Sequence, residues 1–127
     1  MSDTITVGKK LVALCREGKN MEALDTLYSP DIISIEAMSG GPEMPARIDG
    51  IAAVKGKATW WEENHEVHSA VVEGPYPHGE RFIVHFKYEV TGKAGPMAGK
   101  RITMDEGALY TVKDGKVVQE EFFYTMG

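Results

Sequence analysis

Glu36 stands in the run Ile32-Ile-Ser-Ile-Glu-Ala37. On a strand, Ile32, Ser34 and Glu36 share one face, and Ile33, Ile35 and Ala37 the other. A carboxylate drawn out of water among apolar neighbours is a candidate general base. The plainer reading is a carboxylate at the strand end, solvated or paired with Arg47. A second constellation lies between Arg101 and Tyr124, where two β-prone runs flank Asp114-Gly115. That dipeptide favours a two-residue type I′ turn, because both central residues need positive φ. The turn sets Val112 opposite Val117, Leu109 opposite Glu120, Gly107 opposite Phe122 and Asp105 opposite Tyr124. A phenol beside a carboxyl can hold a developing oxyanion if one of them keeps its proton. The plainer reading of Asp105 and Tyr124 is a hydrogen bond that ties down the C-terminal strand.

In that register Asp105, Gly107, Leu109, Glu120, Phe122 and Tyr124 share one face. Glu106, Ala108, Tyr110, Gln119, Glu121 and Phe123 share the other. A strand over a dry core does not carry carboxylates inward, so the pattern predicts a semi-polar cavity. Glu36, Asp105 and Glu120 in one cavity would repel one another, so at least one is expected to hold a proton. His65 falls at the end of a helical stripe and is a candidate proton shuttle; bonding to the last helical carbonyls is its other reading. His65, His68 and His85 do not have the spacing of a helical ligand pair, and neither metal nor other cofactor is expected. Cys15 sits on an apolar helical face and reads as a small buried hydrophobe.

The elements that must position these groups follow from periodicity. Val7, Leu11, Leu14 and Cys15 recur at helical spacing, with Gly18 as the stop. Asn20 is the expected cap of a short second helix carrying Met21, Leu24, Leu27 and Tyr28 inward, and Pro30 ends it. A strand runs from Ile32 to Ala37. Residues 38 to 45 form a breaker-rich loop. Asp49 is the expected cap of a third helix with Ile51, Val54, Ala58 and Trp61 on one stripe. Glu66 to Val72 alternates weakly as a strand, and Gly74 to Gly79 reads as a turn. Arg81 to Val90 is a strand with Phe82, Val84, Phe86 and Tyr88 on one face. The cavity is therefore expected to be lined by Trp61, Phe82, Val84, Phe86, Leu109, Glu120 and Phe122.

Helices first and strands afterwards make an α+β pattern, and 127 residues suit one domain over 1–127. A net charge of −5 with no basic cluster argues against nucleic acid as a partner. No apolar run is long enough to cross a bilayer, and the N-terminus lacks a signal-peptide pattern; the simplest location is the cytoplasm. Ala108, Tyr110, Phe123, Ile83 and His85 are expected on the outer face of the sheet. An apolar patch of that kind predicts a homodimer.

The order of elements, with Leu27-Tyr-Ser-Pro-Asp-Ile32 leading into the first strand and Lys113-Asp-Gly-Lys-Val-Val118 closing the sheet, resembles the nuclear-transport-factor-two-like cone fold, and within it the SnoaL-like branch. The resemblance covers nearly the whole chain. It implies a curved mixed or antiparallel sheet wrapped around N-terminal helices, an internal pocket, and pairing of two copies back to back. It also implies relatives that are isomerases, polyketide cyclases, dehydratases or pocketed proteins without a known reaction. Carried over position by position, the isomerase branch places its catalytic carboxylate at Glu36. Its first oxyanion donor falls on apolar Leu11, and its second on Gly107, with Asp105 two residues away. The working expectation is a small-molecule pocket with isomerase, cyclase or dehydratase acid–base chemistry on an apolar, carbonyl-bearing substrate. The alternative is a non-catalytic ligand-binding module of the same fold.

Overall fold

Three helices lie against the concave face of a six-stranded, unclosed sheet, so the core forms where helical stripes meet alternate strand residues. This computed structural model describes residues 2–39, 42, 45–95 and 98–125. Helix α1 spans Ser2–Arg16 and α2 spans Asn20–Leu27. Strand β1 is Tyr28–Ile35, β2 is Arg47–Asp49, and α3 is Ile51–Asn64. Then come β3 (His65–His78), β4 (Arg81–Gly92), β5 (Arg101–Lys113) and β6 (Lys116–Phe123). The sheet order is β2-β1-β6-β5-β4-β3. β1 runs parallel to β6 and every other pair is antiparallel, which makes the sheet mixed.

The helical stripes bury as periodicity requires: Val7, Leu11, Val12 and Cys15 from α1, Leu24 and Leu27 from α2, and Val54 from α3 enter one core with Phe82, Val84 and Phe86 of β4. α1 crosses the sheet closely at Gly8. A Cβ there would come within 2.8 Å of Pro75 Cβ and 3.0 Å of Pro75 Cγ, so the crossing needs a residue without a side chain. Three local expectations change. Asn20 is the first residue of α2 rather than its cap, and Gly50, with φ +94°, takes the capping place expected of Asp49. Asp49 instead belongs to β2 and bonds Arg47. The segment expected as a turn, Gly74 to Gly79, is mostly strand: Tyr76, Pro77 and His78 pair with Ile83, Phe82 and Arg81.

The closing hairpin carries the main correction. Asp114 and Gly115 adopt φ of 53° and 76°, the geometry of the expected turn. Val112 then pairs with Val117 as expected, but a bulge follows, and Thr111 pairs with Gln119 and Tyr110 with Glu120. Val118 is the extra residue. Val117 and Glu120 are three positions apart and both buried, which a regular strand cannot achieve and a bulge can. Beyond the bulge, Glu120 and Phe122 turn to the concave side, where they meet Tyr110 and Ala108. Ala108 and Tyr110 are therefore core residues, not part of the outer face. Leu109 and Asp105 are displaced the other way. They lie on the convex side, Leu109 half-buried and Asp105 exposed.

Candidate functional site

The concave face carries a chain of polar side chains from five different segments. Tyr28 sits where α2 passes into β1, and its hydroxyl donates to Glu120 Oε1 at 2.5 Å. Ser34 donates to Glu120 Oε2 at 2.7 Å. Lys57, on α3, donates from Nζ to Ser34 Oγ at 2.6 Å and to Glu36 Oε2 at 2.8 Å. Tyr124, just past β6, donates to Glu36 Oε1 at 2.9 Å. Phe122 completes the group, with its ring centroid 5.1 Å from Lys57 Nζ.

Local sequence explains each placement. Alternation along β1 turns Ile32, Ser34 and Glu36 to the concave side, as expected. Lys57 lies three residues after Val54 and four before Trp61, on the same helical stripe. The bulge after Val117 turns Glu120 and Phe122 to meet them.

Glu106 stands on the same face of β5, between Tyr110 and Met104 in the alternation, and pairs in register with Phe86. Its carboxyl is pushed up to about 7 by burial, and then by the nearby charges of Glu36 and Glu120, against the opposing pull of Lys57. No hydrogen bond to Glu106 forms among the described residues. Glu120 is also raised, again by burial first, while Lys57 and the Tyr28 and Ser34 hydroxyls act in the other direction. Burial and the Glu36 charge hold the Tyr124 phenol above its ordinary value. Of the three carboxylates expected to repel one another, Glu120 is the one that burial and the Glu36 charge raise, and Glu106, a residue expected on the outer face, is raised beside it.

The other expected site residues separate into three groups. Glu36, Tyr124, Phe122 and Glu120 come together around Lys57. Phe82, Val84 and Phe86 are buried in the core, with Phe82 stacked on Tyr110 at 5.0 Å and Phe86 on Tyr88 at 5.8 Å. Trp61 is half-buried, 5.6 Å from the Tyr88 ring. The third group lies apart. Asp105 does not pair with Tyr124; it accepts from His85 Nε2 on the convex side, because the bulge breaks the expected register. Leu109 faces away from the network for the same reason. His65 bonds the Trp61 carbonyl at 2.8 Å through Nδ1 and stacks on the Trp61 ring, the plainer of its two readings. Sequence reasoning passed over Lys57, Tyr28 and Glu106 and did not give Ser34 a role. The stripe spacing of Lys57 was the one signal available for finding them.

An open groove of about 640 Å³ borders this network where β1 and β6 end beside β5. Glu36, Phe122 and Tyr124 line it from the concave side, and Asp105, Glu121 and Phe123 from the convex side. Of the loop methionines, Met38 is exposed beside β1, and Met44 and Met97 lie outside the described residues. Among the described residues no group of three or more His, Cys, Asp or Glu side chains is placed to hold a metal ion. Burial first, and then Glu120, push the Cys15 thiol up to about 12, which makes it a core residue rather than a nucleophile. No helix among the described residues is long and apolar enough to cross a membrane.

Helices on the concave face of a curved mixed sheet, with polar groups gathered inside the curve, define the α+β cone class. The model of the SnoaL-like domain matches residues 2–124, and the chain belongs to that family. Among solved structures it is similar to a putative SnoaL-like polyketide cyclase from Mesorhizobium loti, with 44% identity, a TM-score of 0.85, and coverage of 94% of this chain and 97% of that one. An NTF2-like protein of unknown function from Burkholderia pseudomallei superposes with a TM-score of 0.76 at 14% identity, over 98% and 92% of the two chains. A putative isomerase from Bacillus subtilis does so with a TM-score of 0.72 at 15% identity, over 95% and 85%. The last two likenesses concern the fold alone. No curated protein matches the chain.

Proposed function

We propose that this chain binds a small apolar molecule bearing a carbonyl group and moves a proton on it, in the manner of an isomerase, cyclase or dehydratase. One observation carries the reading: Glu106, with its carboxyl near 7 and no hydrogen-bond partner among the described residues, shares the concave face with Glu36, which is held by Lys57 and Tyr124. At neutral pH a carboxyl near 7 is present in both forms, so it can donate a hydrogen bond to a developing oxyanion. Glu36 is the base in this reading and Tyr124 holds its carboxylate in place. Lys57 has three N–H donors and uses two of them on Ser34 and Glu36, which leaves one for a substrate oxygen. Phe122, Trp61 and Tyr88 supply apolar surface. The polyketide cyclase description of the 44% identical structure agrees with this class of chemistry.

The test is solvent deuterium incorporation at the carbon next to the carbonyl of 2-tetralone, an apolar enolisable ketone, followed by NMR. Incorporation above the buffer rate is expected, with loss in Glu36→Gln and retained folding. Incorporation at the buffer rate alone would reject the acid–base reading and leave the ligand-binding module, which native mass spectrometry of the purified protein would then address. The same reading has two copies pairing through the convex face, where Ile83 and Phe123 are 47% and 52% exposed beside exposed Val71 and Tyr76. Light scattering should report a dimer, split by the double change Ile83→Glu and Phe123→Glu. A 14.0 kDa species in the unaltered protein would reject it.

A further inference from the structure

Glu120 is 4% exposed and does not line the groove, yet it anchors the polar chain that ends there. The hydrogen bonds of that chain run in a forced direction. A lysine ammonium only donates, so Ser34 Oγ accepts from Lys57. Ser34 has a single proton, and it goes to Glu120 Oε2. Tyr28 fills the other oxygen, Oε1. Both carboxyl oxygens of Glu120 therefore accept in this arrangement, and the chain ends on a buried acidic side chain behind the site. Lys57 meets one carboxylate directly, Glu36, and a second through one hydroxyl. Two acceptors about a side chain on α3 leave its third N–H directed by the other two.

We propose that Glu120 is a positioning residue: acting through Ser34, it orients the Lys57 ammonium on Glu36 and so aims the remaining Lys57 donor. Tyr28 supports Glu120 without touching Lys57. This inference rests on the site described above but not on any reaction there. A change at Ser34 or Glu120 should loosen Lys57 without touching Glu36 or Tyr124. The arrangement also requires a hydroxyl at position 34, since a group that both accepts and donates is needed between an ammonium and a carboxylate.

Lysine ammonium protons held in hydrogen bonds exchange slowly enough with water to be seen by ¹H–¹⁵N NMR, and exposed ones do not. In the ligand-free protein one resolved ammonium signal that disappears in Lys57→Arg is expected. Its proton exchange should quicken roughly tenfold in Ser34→Ala and in Glu120→Gln, the scale set by losing a hydrogen bond to a charged group. Ser34→Thr keeps the hydroxyl and should keep the slow exchange. Tyr28→Phe should leave the signal in place. Slow exchange retained in Glu120→Gln, or in Ser34→Ala, would overturn the proposal, as would a folded wild-type protein with no Lys57 signal. If Glu120→Gln does not fold, the contrast between Ser34→Ala and Ser34→Thr decides alone. A merely structural role for Ser34 would change the melting of the variants without this hydroxyl-dependent pattern. Because no substrate is involved, the outcome is independent of the deuterium experiment.

Discussion

Replacing Glu106 with Gln should change how stability depends on pH. The Glu106 carboxyl goes from an ordinary value of 4.5 to about 7 on folding, chiefly through burial. At 1.36 kcal/mol per pH unit, that difference is worth about 3 kcal/mol. Because the folded value is the higher one, the folded protein still holds this proton between the two values, where the unfolded chain has lost it. The contribution of this group is complete below pH 4.5 and is lost as pH rises through about 7. Gln cannot ionise and is indifferent to this range. Urea unfolding, followed by the fluorescence of Trp60 and Trp61, gives the free energy for both proteins across the window. The variant should gain about 3 kcal/mol on the wild type between about pH 4 and about pH 8. A domain of this size has roughly 5–15 kcal/mol in total, so the change is readable. Groups that do not interact with Glu106 contribute equally to both proteins and cancel in the difference. A difference between the two proteins that stays flat across the window would refute the burial argument and remove the proton donor from the proposed chemistry.

Gly8→Val should destabilise the fold by about 2 kcal/mol, read as a lower urea midpoint, because its Cβ would meet the Pro75 ring at 2.8 Å. Tyr28→Phe should cost about 1–3 kcal/mol, since it leaves one oxygen of a fully buried carboxylate without its donor. Phe82→Ala, at a site 1% exposed and stacked on Tyr110, should cost about 3–5 kcal/mol in the same measurement. His85 is raised by its hydrogen bond to Asp105 first and to Glu73 second, so Asp105→Asn should lower its NMR titration midpoint; an unchanged midpoint would show that the contact is absent in solution.

Much of this architecture was legible in the residues themselves. Helical stripes need only 3.6-residue periodicity, and Val7, Leu11, Cys15 and Val54 are buried where it put them. The faces of β4 followed from alternation, and Asp114-Gly115 chose its turn through local φ preferences. That Ile32, Ser34 and Glu36 share one face follows from the same local alternation. Three things depended on contacts between distant segments. The bulge at Val118 exists because Val117 and Glu120 both have buried partners across the sheet, and nothing within β6 announces it. That one extra residue exchanged Asp105 and Leu109 for Glu106 and Tyr110 as the β5 groups that share a face with Glu120. The parallel pairing of β1 with β6 brings Ser34 opposite Glu120, 86 residues later in the chain. Lys57 stands at the border of an apolar stripe, and nothing near it in sequence marks a partner for its ammonium. Its acceptors, Ser34 in β1 and Glu36 just past it, lie more than twenty residues earlier, and only the packing of α3 across β1 brings the ammonium to them. Local preferences act through neighbours in sequence, so they determined the elements and most of their faces; which carboxylate is buried beside which cation is an energy of tertiary contact, and the folded structure alone decides it.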